Sequence, residues 1–353
     1  MSAIAEAAPA KLNLYLHVVG RRDDGYHELD SLVAFAEVAD RVTVQPGVAR
    51  IALRGVDLPS VGPRLAISGP FGPALMGENP AQNLVIRAAY GLAARLGREA
   101  DAMIALEKVL PIASGIGGGS ADAAATLRAL ARLWGVPVTD QRLYEVAASL
   151  GADVPVCVAG RSCYFGGVGE VLEEAPALPE TFAVLVNPGV PVPTPAVFKA
   201  RRGAFSAPAR FTGAPADAAA LAALLRDRRN DLTDPALTVA PVIAAVLAAL
   251  DGTDGCLLAR LSGSGATCFG LYADAEHAAA AARSIQAAQP HRPTSAAPPL
   301  PPPAHSPPRP PVPPAPAHSH PAPPPPVPPP PPGAPARALP PHGLPRRAAA
   351  DSR

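Results

Sequence analysis

The stretch LPIASGIGGGSADAAA, residues 110–125, decides how the fold of this chain is interpreted. Its glycines Gly115, Gly117, Gly118 and Gly119 let the backbone approach a ligand closely and adopt positive φ angles. An alanine-rich helix is predicted to begin at Ser120, so free backbone N–H groups and the positive end of the helix dipole converge on one point. The stretch therefore predicts a phosphate-binding loop, with an ordinary glycine turn capped by Ser120 as the alternative.

Two widespread phosphate-binding motifs do not fit this loop. A Walker A loop carries Gly-Lys-Ser/Thr after its glycines, and no such triplet follows here. In a dinucleotide fingerprint counted from Gly115, Ser120 stands where the third glycine belongs, and no clear βαβ unit surrounds the loop. If the loop binds phosphate, it therefore belongs to another class of phosphate-binding loop.

The segments around the loop alternate between strand and helix patterns. LNLYLHVV (residues 12–19) predicts a half-buried strand with Lys11, Asn13, Tyr15 and His17 on one face. Residues 102–110 predict a strand leading into the loop, and residues 83–96, 120–134 and 140–150 predict helices. Further strands and helices follow in segregated runs up to residue 289. This arrangement predicts an α+β protein in two domains.

The composition changes abruptly near Pro290. Residues 291–353 contain 27 of the 48 prolines. Such a segment buries too little apolar surface to offset its ordering entropy, so we predict a disordered tail with polyproline II character. A frameshift product is the preferred explanation, and a tail that binds PxxP-reading domains is the alternative. The predicted organisation is an N-terminal domain (1–165) that holds the glycine loop, a C-terminal domain (166–290) and the tail (291–353).

Charge and cysteine content narrow the class of partner. The formal net charge of +1, without a basic stripe, gives no electrostatic support for a nucleic-acid or membrane partner. The N-terminus lacks the pattern of a signal peptide, and charged residues or prolines interrupt every apolar run. The four cysteines form no CxxC pair. We therefore expect a cytoplasmic monomer or homodimer with reduced thiols and a small-molecule substrate.

Three further motifs carry polar groups in apolar or small-residue surroundings. SLGADVPVCVAG (149–160) holds Asp153, whose burial is costly unless the carboxylate is paired or used, although a cap or turn is the alternative. PAKLNLYLHVVGRRDDGYHELDSL (9–32) offers Lys11 and Asn13, with a solvated edge charge as the alternative. LSGSGATCFG (261–270) predicts a small-residue loop between strands, or simply a tight hairpin.

Taken in order, these motifs resemble those of the GHMP kinase superfamily, which includes galactokinase and the homoserine, mevalonate and phosphomevalonate kinases. The resemblance covers about residues 9–289. AKLNLYL with DDGYHEL, EKVLPIASGIGGGSADAA, LGADVPVCVAG, PGVPVPTPAVF and RNDL are similar to the branch that phosphorylates the 2-hydroxyl of a cytidylylated methylerythritol, in non-mevalonate isoprenoid biosynthesis. A homoserine- or mevalonate-type kinase and a non-catalytic nucleotide-binding protein are the alternatives.

The resemblance implies a fold, a reaction and its machinery. The expected architecture is a ribosomal protein S5 domain 2-like N-terminal domain and a ferredoxin-like C-terminal domain. Asp153 would accept or orient the proton of the substrate hydroxyl, and Lys11 beside it would keep the carboxylate ionised. ATP and Mg²⁺ are the implied cofactors, with Mg²⁺ held through the ATP phosphates and Ser120 as a second contact to phosphate or Mg²⁺.

The resemblance also assigns the two binding regions. Asn83 and Lys108 would lie near the adenine, while Tyr26 and Phe198 would sandwich the cytosine and His27 would bond to its edge. Asn13 and Thr194 would line the diphosphate and erythritol region, and the loop from Gly263 to Gly265 would close the site. The implied ATP-binding residues are Asn83, Lys108, Pro111, Ile112, Ala113, Ser114, Gly115, Ile116, Gly117, Gly118, Gly119, Ser120 and Ala121.

Overall fold

A computed structural model describes residues 3–47, 50–53, 56–59, 62–77, 79–112, 114–289 and 294–297. The strands are β1 (Ile4–Arg21), β2 (His27–Pro46), β3 (Arg50–Leu53), β4 (Val56–Pro59), β5 (Arg64–Ser68), β6 (Ala102–Glu107), β7 (Cys163–Gly167), β8 (Val171–Glu174), β9 (Phe182–Val186), β10 (Leu258–Leu261), β11 (Cys268–Tyr272) and β12 (Thr294–Ala297).

Helices follow the predicted order along the chain. The three helices predicted around the glycine loop are present, within two residues of their expected ends. The α-helices are α1 (Leu84–Leu96), α2 (Gly118–Leu133), α3 (Gln141–Leu150), α4 (Val154–Ala159), α5 (Thr194–Ala200), α6 (Ala218–Arg226), α7 (Thr233–Val239), α8 (Val242–Asp251) and α9 (Ala275–Ala288).

The first sheet is organised around the long strand β2. One edge of β2 pairs with β1, and the other edge pairs with β7 through residues 29–33 and with β6 through residues 41–46. Strand β5 extends the sheet beyond β6, and β8 extends it beyond β7. All strand pairs of this sheet except β5 with β6 are antiparallel. Since β1 and β6 both pair with β2, the hairpin between β1 and β2 and the glycine loop after β6 extend from one continuous sheet.

Both faces of this sheet are covered. On β2, Val33 and Phe35 pack into a core with helices α1 to α4, whereas Leu32 and Ala34 pack with residues of the second sheet such as Phe269. Strand β1 is consequently buried throughout residues 10–18. The prediction of a half-buried strand is therefore wrong, because residues distant in the sequence cover its second face.

A β-bulge also alters the predicted face of β1. The pairing register of β1 with β2 shifts between Asn13 and Tyr15. Such a bulge reorients the side chains that follow it. Tyr15 accordingly packs in the core with Leu12 and Leu14, and its hydroxyl donates to Asp30 at 2.9 Å. The prediction that Lys11, Asn13, Tyr15 and His17 share one face is therefore wrong from Tyr15 onward.

The second sheet has the antiparallel order β10-β11-β9-β12. Residues Thr294–Ala297 of β12 pair with residues 183–186 of β9. The predicted disorder of the tail is therefore wrong for this segment. The rest of the predicted tail, residues 291–293 and 298–353, lies outside the described residues. The predicted domain boundary at residues 165 and 166 falls inside β7, which pairs with β2 in the first sheet.

Removal of β12 should destabilise the protein, contrary to the expectation for a disordered tail. A chain that ends at Gln289 exposes the edge of β9, and each lost hydrogen bond of the ladder contributes about 0.5–1.5 kcal/mol. We expect a melting temperature several degrees lower than that of a chain ending at Ala297, the matched control. Thermal unfolding followed by circular dichroism checks this, and equal melting temperatures would show that β12 contributes nothing.

Candidate active site

The ion pair predicted between β1 and the start of α4 is present. Lys11 Nζ lies 3.0 Å from Asp153 Oδ2 and donates to Asn13 Oδ1 at 3.0 Å. The Lys11 side chain is 4% exposed, while that of Asp153 is 34% exposed. The ammonium is therefore held inside the protein, and the carboxylate reaches the surface.

Asp153 occupies the residue before α4 without acting as its cap. Its side chain makes no capping hydrogen bond, and Pro155 lies in the first turn of the helix. The alternative of a simple cap therefore does not describe this aspartate. The carboxylate instead faces Lys11, which also lies 5.7 Å from the centre of the Phe165 ring.

The glycine loop leads directly into α2. The helix begins at Gly118, two residues before the predicted start, and Gly117 precedes it with a φ of 66° and no side-chain cap. The alternative of a glycine turn capped by Ser120 is therefore wrong, since Ser120 lies inside the first turn. Without a capping side chain, the first N–H groups of α2 are available to an anion.

The glycine loop is packed tightly against β1. The N–H of Lys11 donates to the Ile116 carbonyl at 2.9 Å. A Cβ atom on Gly117 would lie 3.3 Å from Lys11 Cε, so a larger residue would crowd the lysine. The loop and the Lys11–Asp153 pair therefore form one site.

The small-residue loop between β10 and β11 reaches the glycine loop, as predicted. Ser262 Oγ donates to the Gly115 carbonyl at 3.2 Å, and the N–H of Thr267 donates to the Ser114 carbonyl at 2.9 Å. A Cβ atom on Gly115 would meet the Gly265 carbonyl oxygen at 2.4 Å. Gly263 also lies against the glycine loop, because a Cβ atom there would be 3.0 Å from the Gly115 carbonyl oxygen. Only glycine permits this approach.

The residues assigned to the cytidine pocket form a different ring pair from the expected one. The His27 ring stacks on Phe198, with ring centroids 4.9 Å apart and planes inclined by 23°. Tyr26 is 61% exposed and stands outside this pair. Burial, followed by the charges of Arg21 and Arg201, lowers the pKa of His27, which favours a neutral imidazole at neutral pH.

Thr194 and Asn13, also predicted to line the substrate region, lie near the loop between β10 and β11. Thr194, at the start of α5, shares a hydrogen bond of 2.8 Å with Ser264 Oγ. Asn13 donates through Nδ2 to Ser31 Oγ at 2.9 Å, and its Oδ1 accepts from Lys11. Asn13 is therefore an orienting partner of the lysine, and Thr194 meets the closing loop beside Gly263 and Gly265.

The two residues predicted near the adenine have structural contacts. Asn83 caps α1, because its side chain accepts the N–H of Val85 at 2.9 Å. Lys108 is 2% exposed and its ammonium donates to the carboxylates of Asp40 and Asp122. The contacts of Lys108 therefore connect β2, through Asp40, with α2, through Asp122.

The buried cluster of Lys108, Asp40 and Asp122 is the main feature that the sequence reasoning missed. Asp40 Oδ1 also accepts the N–H of Leu110 at 2.7 Å, at the start of the glycine loop, while Asp122 lies in α2 at its end. Burial outweighs the attraction of Lys108 and raises the pKa of Asp122 to about 7. The available signal was an acid within the alanine-rich apolar run of α2.

The other loop residues differ in how they can serve a ligand. Pro111 and Ile112 are partly exposed, and Ser114 is buried with its hydroxyl donating to the Pro111 carbonyl at 2.7 Å. Ile116 packs in the core, and the N–H of Ala121 already donates to the Gly117 carbonyl. Ala113 lies outside the described residues. The part of the loop whose backbone could serve a ligand is therefore Gly117 to Ser120, at the uncapped start of α2.

The described residues also bear on a role at a membrane or with a metal ion. In the part of the chain that the structure describes, no helix combines the length and apolar character needed to cross a membrane. Within the described residues, no group of three or more His, Cys, Asp or Glu side chains is arranged to hold a metal ion. All four cysteines are free thiols.

Comparison with known proteins identifies the class that this fold and site define. The model of the GHMP kinases N terminal domain matches residues 83–161, and that of the GHMP kinases C terminal domain matches residues 188–291. The chain belongs to the GHMP kinase family, whose members use ATP as a substrate. The two-domain GHMP kinase fold expected from the sequence, with mixed helices and strands, is confirmed.

Particular relatives within the family are similar over most of their length. A protein of Paramagnetospirillum magneticum named 4-diphosphocytidyl-2-C-methyl-D-erythritol kinase is 52% identical over 290 residues, covering 82% of this chain and 96% of that protein. A crystal structure of 4-(cytidine 5'-diphospho)-2C-methyl-D-erythritol kinase is 36% identical with a TM-score of 0.63, covering 84% of this chain and 100% of that chain. Homoserine kinase from Cytophaga hutchinsonii, 17% identical with a TM-score of 0.62, covers 85% and 96% respectively and shares the fold alone.

Proposed function

We propose that this chain transfers the γ-phosphoryl group of ATP to the 2-hydroxyl of 4-diphosphocytidyl-2-C-methyl-D-erythritol. The observation that carries the proposal is the Lys11–Asp153 pair, with 3.0 Å between Nζ and Oδ2, beside the uncapped start of α2. The names of relatives about half identical to this chain support the choice of acceptor. A cytoplasmic location is part of the proposal and agrees with the four free thiols.

The proposed roles follow from the needs of phosphoryl transfer. The protein must align the acceptor, neutralise charge on the transferred group and keep water away, without a covalent intermediate. Asp153, 34% exposed, would accept a hydrogen bond from the substrate hydroxyl and take its proton. Lys11 would hold the carboxylate in place and balance the developing charge.

The triphosphate would be held by the glycine loop. The N–H groups of Gly118, Gly119 and Ser120 open α2 without a side-chain cap, and glycine at position 117 leaves room for close approach. Mg²⁺ would be held mainly by the oxygens of the bound phosphates, because it commonly keeps several waters and needs few ligands from the protein. The Ser120 hydroxyl is the side chain proposed to contact phosphate or Mg²⁺.

The cytidine end of the substrate would bind near the His27–Phe198 pair. These rings offer an aromatic face on which a base can stack, and a neutral imidazole has one donor and one acceptor for the edge of the base. Tyr26, largely exposed beside them, would cover the base from the other side. Arg21 and Arg201, both close enough to affect His27, would add positive charge around a diphosphate.

A substrate panel tests this proposal. With ATP and Mg²⁺, we expect ADP release with the cytidylylated methylerythritol, at a kcat/KM at least about 100-fold above that with homoserine or mevalonate, because unmet hydrogen bonds in a polar site are costly. Methylerythritol phosphate without the cytidine separates recognition of the base from recognition of the polyol. Turnover of homoserine or mevalonate instead would replace the proposed acceptor, and ATP binding without any turnover would indicate a non-catalytic protein.

A further inference from the structure

The RNDL segment, residues 229–232, contacts both β1 and the loop between β10 and β11. Its backbone pairs with β1, since the N–H of Leu16 donates to the Arg229 carbonyl at 3.0 Å and the N–H of Asp231 donates to the Leu16 carbonyl at 2.8 Å. The Asp231 carboxylate also accepts the N–H of Val18 at 2.8 Å. Asn230 therefore has a fixed position beside the catalytic strand.

The Asn230 side chain is buried and fully bonded. Nδ2 donates to the carbonyls of Leu261 and Gly263, each at 2.8 Å, and Oδ1 accepts the N–H of Leu232 at 2.9 Å. Two acceptors on one side and one donor on the other leave a single orientation for the amide. Asn230, 5% exposed, thereby holds the backbone on both sides of Ser262.

Ser262 in turn connects the catalytic strand with the phosphate loop. Its hydroxyl accepts the N–H of Asn13 at 3.2 Å and donates to the Gly115 carbonyl at 3.2 Å. Asn13 is the residue whose side chain accepts from Lys11. The position of one hydroxyl therefore relates Lys11 to the glycine loop, and the bonds of Asn230 to the neighbouring carbonyls hold that hydroxyl in place.

We infer that Asn230 is a positioning residue, which acts through Ser262 to set the spacing between the Lys11–Asp153 pair and the phosphate loop. This inference rests on the proposed kinase function, because it concerns alignment of the two reacting groups. Small errors in that alignment lower the rate strongly even when both ligands still bind. The effect of losing Asn230 should therefore appear mainly in kcat.

The test begins with Asn230→Asp, which keeps the shape of the side chain and replaces the donor facing two carbonyls by an acceptor. We expect kcat to fall at least tenfold, with the KM for ATP changed less than threefold and circular dichroism showing a folded protein. Asn187→Asp is the matched control, because Asn187 is equally buried and its amide donates to the hydroxyl of Thr267, which can rotate to donate instead. That control should retain near-normal kcat.

A double variant separates positioning from general destabilisation. Ser262→Ala removes the connecting hydroxyl directly, and if Asn230 acts through it, adding Asn230→Asp should lower kcat no further. Losses that multiply, or a normal kcat in folded Asn230→Asp, would overturn the inference. If Asn230→Asp fails to fold, Asn230→Ser, which keeps one donor, takes its place with the same criteria. An inactive unaltered chain would instead count against the proposed function.

Discussion

Asp153→Asn should lower kcat by a factor of about 10² to 10⁴, the usual cost of removing a general base. The asparagine amide has nearly the same size as the aspartate carboxylate, but it cannot take a proton from the 2-hydroxyl of the substrate. ATP affinity should stay nearly unchanged, because Asp153 stands at the start of α4 rather than in the glycine loop. Steady-state kinetics with the cytidylylated methylerythritol, together with titration of ATP by calorimetry, measures both quantities.

The control for this variant is Asp254→Asn, the same substitution at an exposed residue after α8. It should leave kcat within a factor of two of the unaltered enzyme. A folded Asp153→Asn enzyme with near-normal kcat would remove Asp153 from the reaction. A large loss of ATP affinity would show instead that the carboxylate serves nucleotide binding.

Lys108→Met should cost about 3–5 kcal/mol in the free energy of unfolding, as expected when one partner of a buried ionic cluster is removed. The substitution leaves Asp40 and Asp122, both almost inaccessible to water, facing each other without a cation. Loss of the Lys108 ammonium should raise the folded-state pKa of Asp122 further above its value of about 7 in the parent protein. Above pH 7 the stability of the variant then continues to fall with rising pH while that of the parent no longer does, so the deficit should grow as the pH rises above 7.

Asp122→Asn provides the comparison for Lys108→Met. It leaves the pair of Lys108 and Asp40 intact, and Asp122 Oδ1 has no hydrogen-bond partner to lose, so we expect a change within about 1 kcal/mol. The double variant should be more stable than Lys108→Met alone, because one uncompensated charge is removed. Urea unfolding at pH 6 and 8 measures all three, and a Lys108→Met protein as stable as the parent would contradict the role of the cluster.

The parts of the fold that the sequence predicted well are those determined by local chemistry. The glycine loop separates β6 from α2, because glycine at position 117 permits the positive φ angle that precedes the helix. The absence of a capping side chain then leaves the first N–H groups of the helix without a cap. The pairing of Lys11 with Asp153 followed from the resemblance of two short motifs. Their contact joins segments over 140 residues apart, which periodicity alone does not predict.

The features that the sequence did not predict depend on distant partners or on backbone alone. Burial of both faces of β1 requires the second sheet, and the contacts of Lys108 require Asp40 from another strand. β12 forms although its composition is unfavourable, because TSAA has no proline between Pro293 and Pro298 and each of its residues keeps an N–H. Pairing with the edge of β9 then depends on those N–H groups.

The contacts of β1 also have a consequence for the order of events during synthesis. The hydrogen bond from Asn13 to Ser262 spans 249 residues, so β1 is synthesised long before the residue that accepts this hydrogen bond from its backbone. At about 5–20 residues per second, this interval is roughly 12 to 50 s. Throughout that time the second sheet that covers β1 is incomplete, because β11 has not yet been synthesised. The strand that carries Lys11 therefore acquires its full cover long after its own synthesis.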